Sequence, residues 1–149
     1  MADPYDLRRF VEAQERVKDD VTRELGAGQK RSHWMWFVFP QVRGLGSSTT
    51  AWHYGIGTLD EAIAYLKDPV LGQRLREWTK LVIDTEGRSA EQIFGYPDYL
   101  KFRSSMTLFD AAQRESDAVE EPLFREALEK YCRGEPDEKT LTILGRSRS

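Results

Sequence analysis

The chain has 149 residues, of which 40% are hydrophobic and 32% charged, and its formal net charge is −3. The mild acidic balance argues against nucleic-acid binding. The single cysteine excludes an intramolecular disulfide, and no apolar run approaches the roughly 20 residues that cross a bilayer. The first residues lack the basic and apolar stretches of an export signal, so we expect a cytoplasmic protein with no membrane partner. The length predicts one domain over residues 1–144, followed by a flexible tail at 145–149.

The first part of the chain has helical periodicity. Apolar side chains recur on one stripe over residues 7–25, which predicts a single first helix that Asp6 caps and Gly26 ends. On the opposite side, Glu12 lies four residues before Arg16, which is the favourable order for an exposed ion pair. We interpret the charges of this helix as a solvated face.

An uninterrupted apolar segment follows at residues 34–39 and ends at Pro40. An exposed run of this kind would aggregate, so we expect it near the middle of the core. At this length periodicity does not distinguish a short buried helix, capped by Ser32, from a buried strand.

The remainder of the chain contains repeated helix-start signals. The glycine-rich stretch at residues 41–57 has no clear periodicity and is interrupted by one short helix at residues 51–54. Later helix starts are marked by two capping boxes, Thr58 with Glu61 and Ser89 with Gln92, by Pro69, Pro97 and Pro122, and by Asp137. No internal repeat or strand pair is evident. The sequence therefore predicts an all-α, single compact domain of about seven or eight short helices.

The aromatic segment and the glycine-rich stretch after it are the strongest candidates for a functional site. Cationic side chains lie close in sequence to tryptophans, and glycines let a backbone approach a ligand closely. Aromatic faces beside guanidinium groups can stack a purine, and free N–H groups at a helix start favour anions. The ligand-binding residues predicted here are Arg31, Trp34, Trp36, Arg43 and Ser47, and His33 is the candidate catalytic acid or base.

A second predicted wall lies on the helix that follows Pro97. Lys101 and Ser105 share one face of that helix and supply a cation and a hydroxyl group, which suits the wall of a pocket for a phosphorylated ligand. The alternative interpretation places the tryptophans in the core and makes the glycines turn residues. No ligand spacing for a metal is present, so neither a metal nor another cofactor is predicted.

Five blocks of the sequence resemble, in the same order, the bacterial domain-of-unknown-function family 1810. They lie at residues 3–10, 28–41, 44–48, 91–95 and 100–109. The most specific blocks are His-Trp-Met-Trp-Phe at 33–37 and Ser-Ser-Met-Thr-Leu-Phe at 104–109. The resemblance implies a compact, mostly helical fold over nearly the whole chain. It brings no established catalytic residues, so the site residues above rest on the sequence pattern.

Two functions are compatible with these features. The first is binding or processing of a nucleotide-like phosphorylated small molecule, with Arg31 and Lys101 neutralising phosphate and a tryptophan stacking a base. The alternative is a noncatalytic protein-interaction domain or a homodimer. In that case exposed aromatic residues form the interface, and the candidates are Trp52, Tyr54, Tyr96 and Tyr99.

Overall fold

The computed structural model describes residues 3–116 and 122–145, and this part of the chain is all α-helical. It contains ten helices, whereas the sequence predicts about seven or eight. They are α1 (Arg8–Glu15), α2 (Lys18–Gly26), α3 (Met35–Val38), α4 (Thr49–His53), α5 (Leu59–Lys67), α6 (Leu71–Ile83), α7 (Ala90–Phe94), α8 (Asp98–Glu115), α9 (Leu123–Cys132) and α10 (Glu138–Ile143). Residues 146–149 of the predicted tail lie outside the described residues. Within the described ranges, none of the helices combines the length and apolar character needed to span a membrane.

The predicted first helix is two helices. The backbone leaves the helical region at Val17, where φ is −127° and ψ is −4°, and the Val17 N–H bonds the Gln14 carbonyl at 3.0 Å. Apolar residues keep their spacing across this break, so periodicity alone could not reveal it. The break accounts for one of the additional helices.

Asp6 does not cap the first helix. Its φ of 51° lies in the left-handed region. The Asp3 carboxylate instead accepts hydrogen bonds from the backbone N–H groups of Leu7 and Arg8, at 2.9 and 3.1 Å. The predicted capping role therefore belongs to a residue three positions earlier.

The two predicted capping boxes have different outcomes. Ser89 and Gln92 form the reciprocal pair, with hydrogen bonds of 3.1 and 2.8 Å between each side chain and the other residue's backbone N–H. Thr58 caps α5, but the Glu61 carboxylate bonds the Gly57 N–H at 3.0 Å instead of completing the box. The other oxygen of Glu61 pairs with the Arg9 guanidinium at 2.8 Å, a tertiary contact that the local sequence does not specify.

The core is built around α8, which packs against both α5 and α9 and also contacts α7 and α10. Its side chains Phe102, Met106 and Phe109 are fully buried. Phe39, which follows α3, places its ring 5.2 Å from that of Phe102 and 5.7 Å from that of Phe94. Edge-to-face packing of these rings connects the segment after α3 with α7 and α8.

The glycine-rich stretch is closed at its base by one isolated parallel bridge between Val42 and Ile56. The Arg43 N–H bonds the Ile56 carbonyl at 2.8 Å, and the Ile56 N–H bonds the Gln41 carbonyl at 2.9 Å. Helix α4 lies within the closed segment. In the described ranges this bridge is the only strand-like pairing.

The aromatic segment forms the short helix α3, which decides between the two predicted alternatives. Ser32 does not cap this helix, because its hydroxyl donates to the carboxylate of Glu24 in α2. The same carboxylate accepts the N–H groups of Arg31 and Ser32, at 2.7 and 2.9 Å, and the indole N–H of Trp34 at 3.0 Å. Glu24 thereby fixes the chain that leads into α3.

Glu24 is only 5% exposed, yet it is favoured in its charged form. Burial raises the pKa of a carboxyl group, but here four hydrogen bonds from neutral donors outweigh burial and lower the pKa of Glu24 to about 2. Hydrogen bonds to an ionised group are stronger than those between neutral groups. The carboxylate and its donors therefore stabilise the fold only while Glu24 is ionised.

We predict that the folded state loses stability in acid through Glu24. Its pKa falls from 4.5 to about 2 on folding, so its contribution is complete above pH 4.5 and is lost as the pH falls towards 2. The shift corresponds to about 3 kcal/mol. Glu24→Gln should cost about 2–3 kcal/mol at neutral pH, because its amide N–H₂ would face N–H donors. Urea unfolding at pH 7 measures the cost of Glu24→Gln, and urea unfolding between about pH 2 and 5 measures the loss in acid.

Glu12→Gln is the matched control, since Glu12 is exposed and its ion pair with Arg8 lies on the surface. This variant should unfold like the parent at every pH. Equal losses of stability in acid for Glu24→Gln and the parent would show that the Glu24 cluster is not the source.

Candidate ligand-binding site

Two of the predicted ligand-binding residues lie in the core. Trp34 is fully buried, and its indole N–H is occupied by Glu24. Ser105 is fully buried too, and its hydroxyl has no hydrogen-bond partner among the residues that the structure describes. Neither side chain is accessible to a molecule arriving from solvent.

Lys101 and Trp36, from the two predicted walls, lie together. The Lys101 ammonium is 4.8 Å from the centroid of the half-buried Trp36 ring, which is a cation–π contact. Lys101 Nζ is also 3.5 Å from one oxygen of Asp98, whose other oxygen pairs with Lys30 Nζ at 2.8 Å. One carboxylate is shared by two ammonium groups, so this cluster keeps an excess positive charge.

The cleft beside Trp36 is narrow. It is lined in part by Trp36, Leu45, Gly46 and Tyr54, and its free space is about 10 Å³. That is close to the minimum needed by one water molecule. A nucleotide could enter only if the glycine-rich stretch moved.

The other predicted residues of the glycine-rich stretch do not converge on this cleft. The Arg43 guanidinium lies 4.6 Å from the Trp52 ring centroid and donates to the Trp52 carbonyl at 3.0 Å. Ser47 is exposed, and its neighbour Ser48 caps α4. The backbone N–H of Ala51, at the start of α4, is therefore occupied by a side chain of the protein.

Arg31 and His33 are exposed on the segment that Glu24 holds. Arg31 donates to the Gln29 side chain at 3.3 Å. Across residues 3–116 and 122–145, no hydrogen bond or ion pair connects either side chain with Lys101. The structure thus brings Trp36 and Lys101 into contact, and among the described residues it shows no such contact for Arg31 or His33.

A wider polar cleft, which we call the arginine cleft, shares Tyr54 with the narrow one. Its volume is about 450 Å³, within the range of about 300–1,000 Å³ that is typical of small-molecule sites. Its lining comprises Asp6, Arg8, Arg9, Glu12, Ala13, Arg16, His53 and Tyr54.

The ion pairing along α1 leaves Arg16 available. Glu12 pairs with Arg8 at 2.8 Å, not with Arg16 as the sequence predicted. In the described ranges, the Arg16 guanidinium and the His53 imidazole have no hydrogen-bond or ion-pair partner. The His53 ring rests edge-on against Tyr54, with a centroid distance of 4.6 Å. Two exposed basic side chains therefore line one cleft.

The sequence pattern did not mark Arg8, Arg16 or His53 as ligand-binding residues. Arg8 and Arg16 are eight positions apart and therefore lie on the same face of a helix, which was a usable signal. The approach of His53 to that face depends on the packing of α4 and could not be inferred from spacing. Among the described residues, no group of three His, Cys, Asp or Glu side chains is arranged to hold a metal ion.

Arg9 fixes the segment that separates the two clefts. Its side chain is buried and donates to the carbonyls of His53 and Gly55, at 2.8 and 3.0 Å, and to the Glu61 carboxylate at 2.8 Å. Two carbonyls of the N-terminal turn accept its remaining hydrogen bonds. Gly55 is required here because a Cβ atom would lie 2.9 Å from the Arg43 backbone.

We predict that Arg9→Lys destabilises the protein by about 2–4 kcal/mol, because lysine keeps the charge but cannot reproduce the planar set of donors. Urea unfolding gives the loss of stability. Hydrogen exchange should also accelerate at the backbone amides of residues 53–57. Arg8→Lys is the matched control, since Arg8 is the exposed neighbour of Arg9. Equal stabilities of the two variants would contradict the anchoring role of Arg9.

One family model and one solved structure match almost the whole chain. The chain matches the family described as protein of unknown function (DUF1810) over residues 4–144. It is also similar to the crystal structure of the conserved hypothetical protein Rv1873 from Mycobacterium tuberculosis. The identity is 54% and the TM-score 0.91, with 97% of this chain and 100% of that chain covered. No curated protein matches the sequence. The chain therefore belongs to the DUF1810 family.

Proposed function

We propose that the protein binds a phosphorylated small molecule in the arginine cleft. The observation that carries the proposal is the Arg16 guanidinium, which lines a cleft of suitable volume and has no partner within the described residues. Guanidinium groups recognise phosphate through paired N–H donors. Arg8 lies on the same helix face and can exchange its exposed pairing with Glu12 for a ligand phosphate.

The remaining lining residues favour a ligand that also carries hydroxyl groups and a flat ring. The carboxylates of Asp6 and Glu12 can accept hydrogen bonds from the hydroxyl groups of a sugar. The ring of Tyr54 is held by aromatic contacts with Phe10 and Phe37, at 6.0 and 5.2 Å, and is ready to pack against a ring of the ligand. A nucleotide or a sugar phosphate combines these groups.

The cluster of Trp36 and Lys101 is the alternative location for the same ligand. It has the charge and the aromatic face that the sequence predicted, but the cleft that Trp36 lines has about 10 Å³ of free space. Binding there requires the ligand phosphate to draw Lys101 away from the Trp36 ring. The two locations share Tyr54 but differ in their cations, so substitutions distinguish them.

We predict that at least one compound in a panel of inorganic phosphate, AMP, NAD, ADP-ribose and sugar phosphates raises the melting temperature. A ligand at 100 times its dissociation constant stabilises the folded state by about 2.7 kcal/mol, or about 5–11 °C for a chain of this size. Arg16→Ala should weaken binding by about tenfold or more, since it removes a charge-assisted hydrogen bond. Thermal shift over a ligand titration measures both.

Lys101→Ala, paired with His33→Ala, serves as the comparison and should leave the response unchanged. A response that survives Arg16→Ala and disappears in Lys101→Ala would move the site to the Trp36 cluster. No response to any compound of the panel would contradict the proposed ligand class.

A noncatalytic interaction domain is the second candidate function, and the exposure of Trp52 favours it. Its indole is 60% exposed, while the Arg43 guanidinium covers one face of the ring. Tryptophan and arginine are enriched at the centres of protein interfaces. If a homodimer forms through this surface, sedimentation at micromolar concentration should show a dimer that Trp52→Ser converts to a monomer. A monomeric parent protein would exclude this arrangement.

A further inference from the structure

A groove between the start of α8 and the end of α9 is unrelated to the arginine cleft. Its volume is about 280 Å³, and Tyr99, Leu100, Arg103, Tyr131 and Arg133 are among the residues that line it. This volume falls just below the range of about 300–1,000 Å³ found for small-molecule sites. It is better suited to one or two anchoring side chains of a larger partner.

The composition of the groove is that of a protein interface. Leu100 is 41% exposed although it is apolar, and the neighbouring Tyr96 is 77% exposed with its ring 6.1 Å from that of Tyr99. Tyrosine and arginine are the residues over-represented at binding hot spots, whereas lysine and aspartate are depleted in interfaces. Glu135 is the one acidic residue of the lining.

The walls of the groove are fixed before any partner binds. Arg103 donates to the carbonyls of Glu135 and Pro136, both at 2.9 Å. The hydroxyl of Tyr131 donates to the Val82 carbonyl at the end of α6. Since these side chains are already held in place, little of their conformational entropy would be lost when a partner binds.

Arg133 is the feature that indicates what the groove binds. Its side chain is exposed and has no ion-pair partner within the described ranges. Its backbone is left-handed, with φ of 57° and ψ of 28°, a conformation that glycine or asparagine adopts more easily. An arginine at a strained position whose side chain has no hydrogen-bond or ion-pair partner among the described residues points to a role outside the folding of the chain.

The Glu135 carboxylate lies 3.9 Å from the Arg103 guanidinium and is the only negative charge set against the two arginines of the lining. The groove therefore has an excess positive charge located at Arg133. Charge complementarity favours an anionic group on the occupant at this point, and a carboxylate is the anionic group that the side chains of an unmodified peptide supply. It would lie next to the side chain that packs between the apolar walls of the groove.

We propose that this groove docks a short segment of a partner protein in which an apolar or aromatic side chain is adjacent to an acidic residue. The apolar side chain lies between Leu100 and the tyrosines, and the carboxylate pairs with Arg133. This binding site is independent of the proposed ligand in the arginine cleft.

The test is a selection of short peptides from a displayed random library against the full chain, followed by fluorescence anisotropy with the enriched peptide. We expect the enriched sequences to pair leucine or an aromatic residue with aspartate or glutamate. Arg133→Asn keeps a residue that tolerates the left-handed backbone and removes the charge. It should weaken peptide binding about tenfold or more, and Leu100→Asp should do the same.

Arg16→Ala is the control variant, because it disables the proposed phosphate site and should leave peptide binding unchanged. Arg133→Asn should still bind the phosphate compounds as the parent does, so the two variants test the two proposals separately. Failure to enrich any peptide would overturn the docking proposal, as would enriched peptides that bind Arg133→Asn and the parent equally. A parent protein that self-associates until Arg133 is replaced would assign the groove to a second copy of the chain instead.

Discussion

The fold around the candidate sites depends on one buried carboxylate. Glu24 collects four neutral hydrogen-bond donors from residues 31–34 and so determines where the chain enters the core. Trp34, once placed, lies under the Lys30 ammonium at 5.1 Å, and Lys30 reaches Asp98 at the start of α8. A carboxylate in α2 is thereby connected, through an aromatic ring and an ion pair, to the helix around which the core is built.

Arg9 and Glu61 solve the same problem of burying charge in a different way. Glu24 is satisfied by uncharged groups, whereas Arg9 is satisfied by an opposite charge and by four carbonyl groups. Removing either partner of a buried ion pair is costly because the other is left uncompensated. The fold uses the first solution to place an aromatic segment and the second to place the segment 53–57, whose Tyr54 lines both clefts.

Features that depend only on residues close in sequence could be predicted from the sequence. The capping box at Ser89 is complete within four residues, and its geometry follows from the local chain alone. Glu61 has the same spacing, but it pairs with Arg9, which is 52 positions away. The break at Val17 left the apolar spacing intact and was invisible for that reason. Trp34 and Trp36 are the same residue type, two positions apart in one segment. Only tertiary packing buries Trp34 in the core and places Trp36 against Lys101.

The parallel bridge between Val42 and Ile56 has an evolutionary consequence. It holds the two ends of the segment that carries α4 next to each other. The helices of the core therefore do not have to compensate for the entropy lost when this loop closes. Doubling the length of a flexible loop costs only about 0.6 kcal/mol. Related chains can therefore lengthen, shorten or rewrite the tip of this segment, including Trp52 and His53, while α5 and α8 remain as they are. We expect sequence differences among homologues to accumulate there, because the side chains of this surface can change without repacking the core.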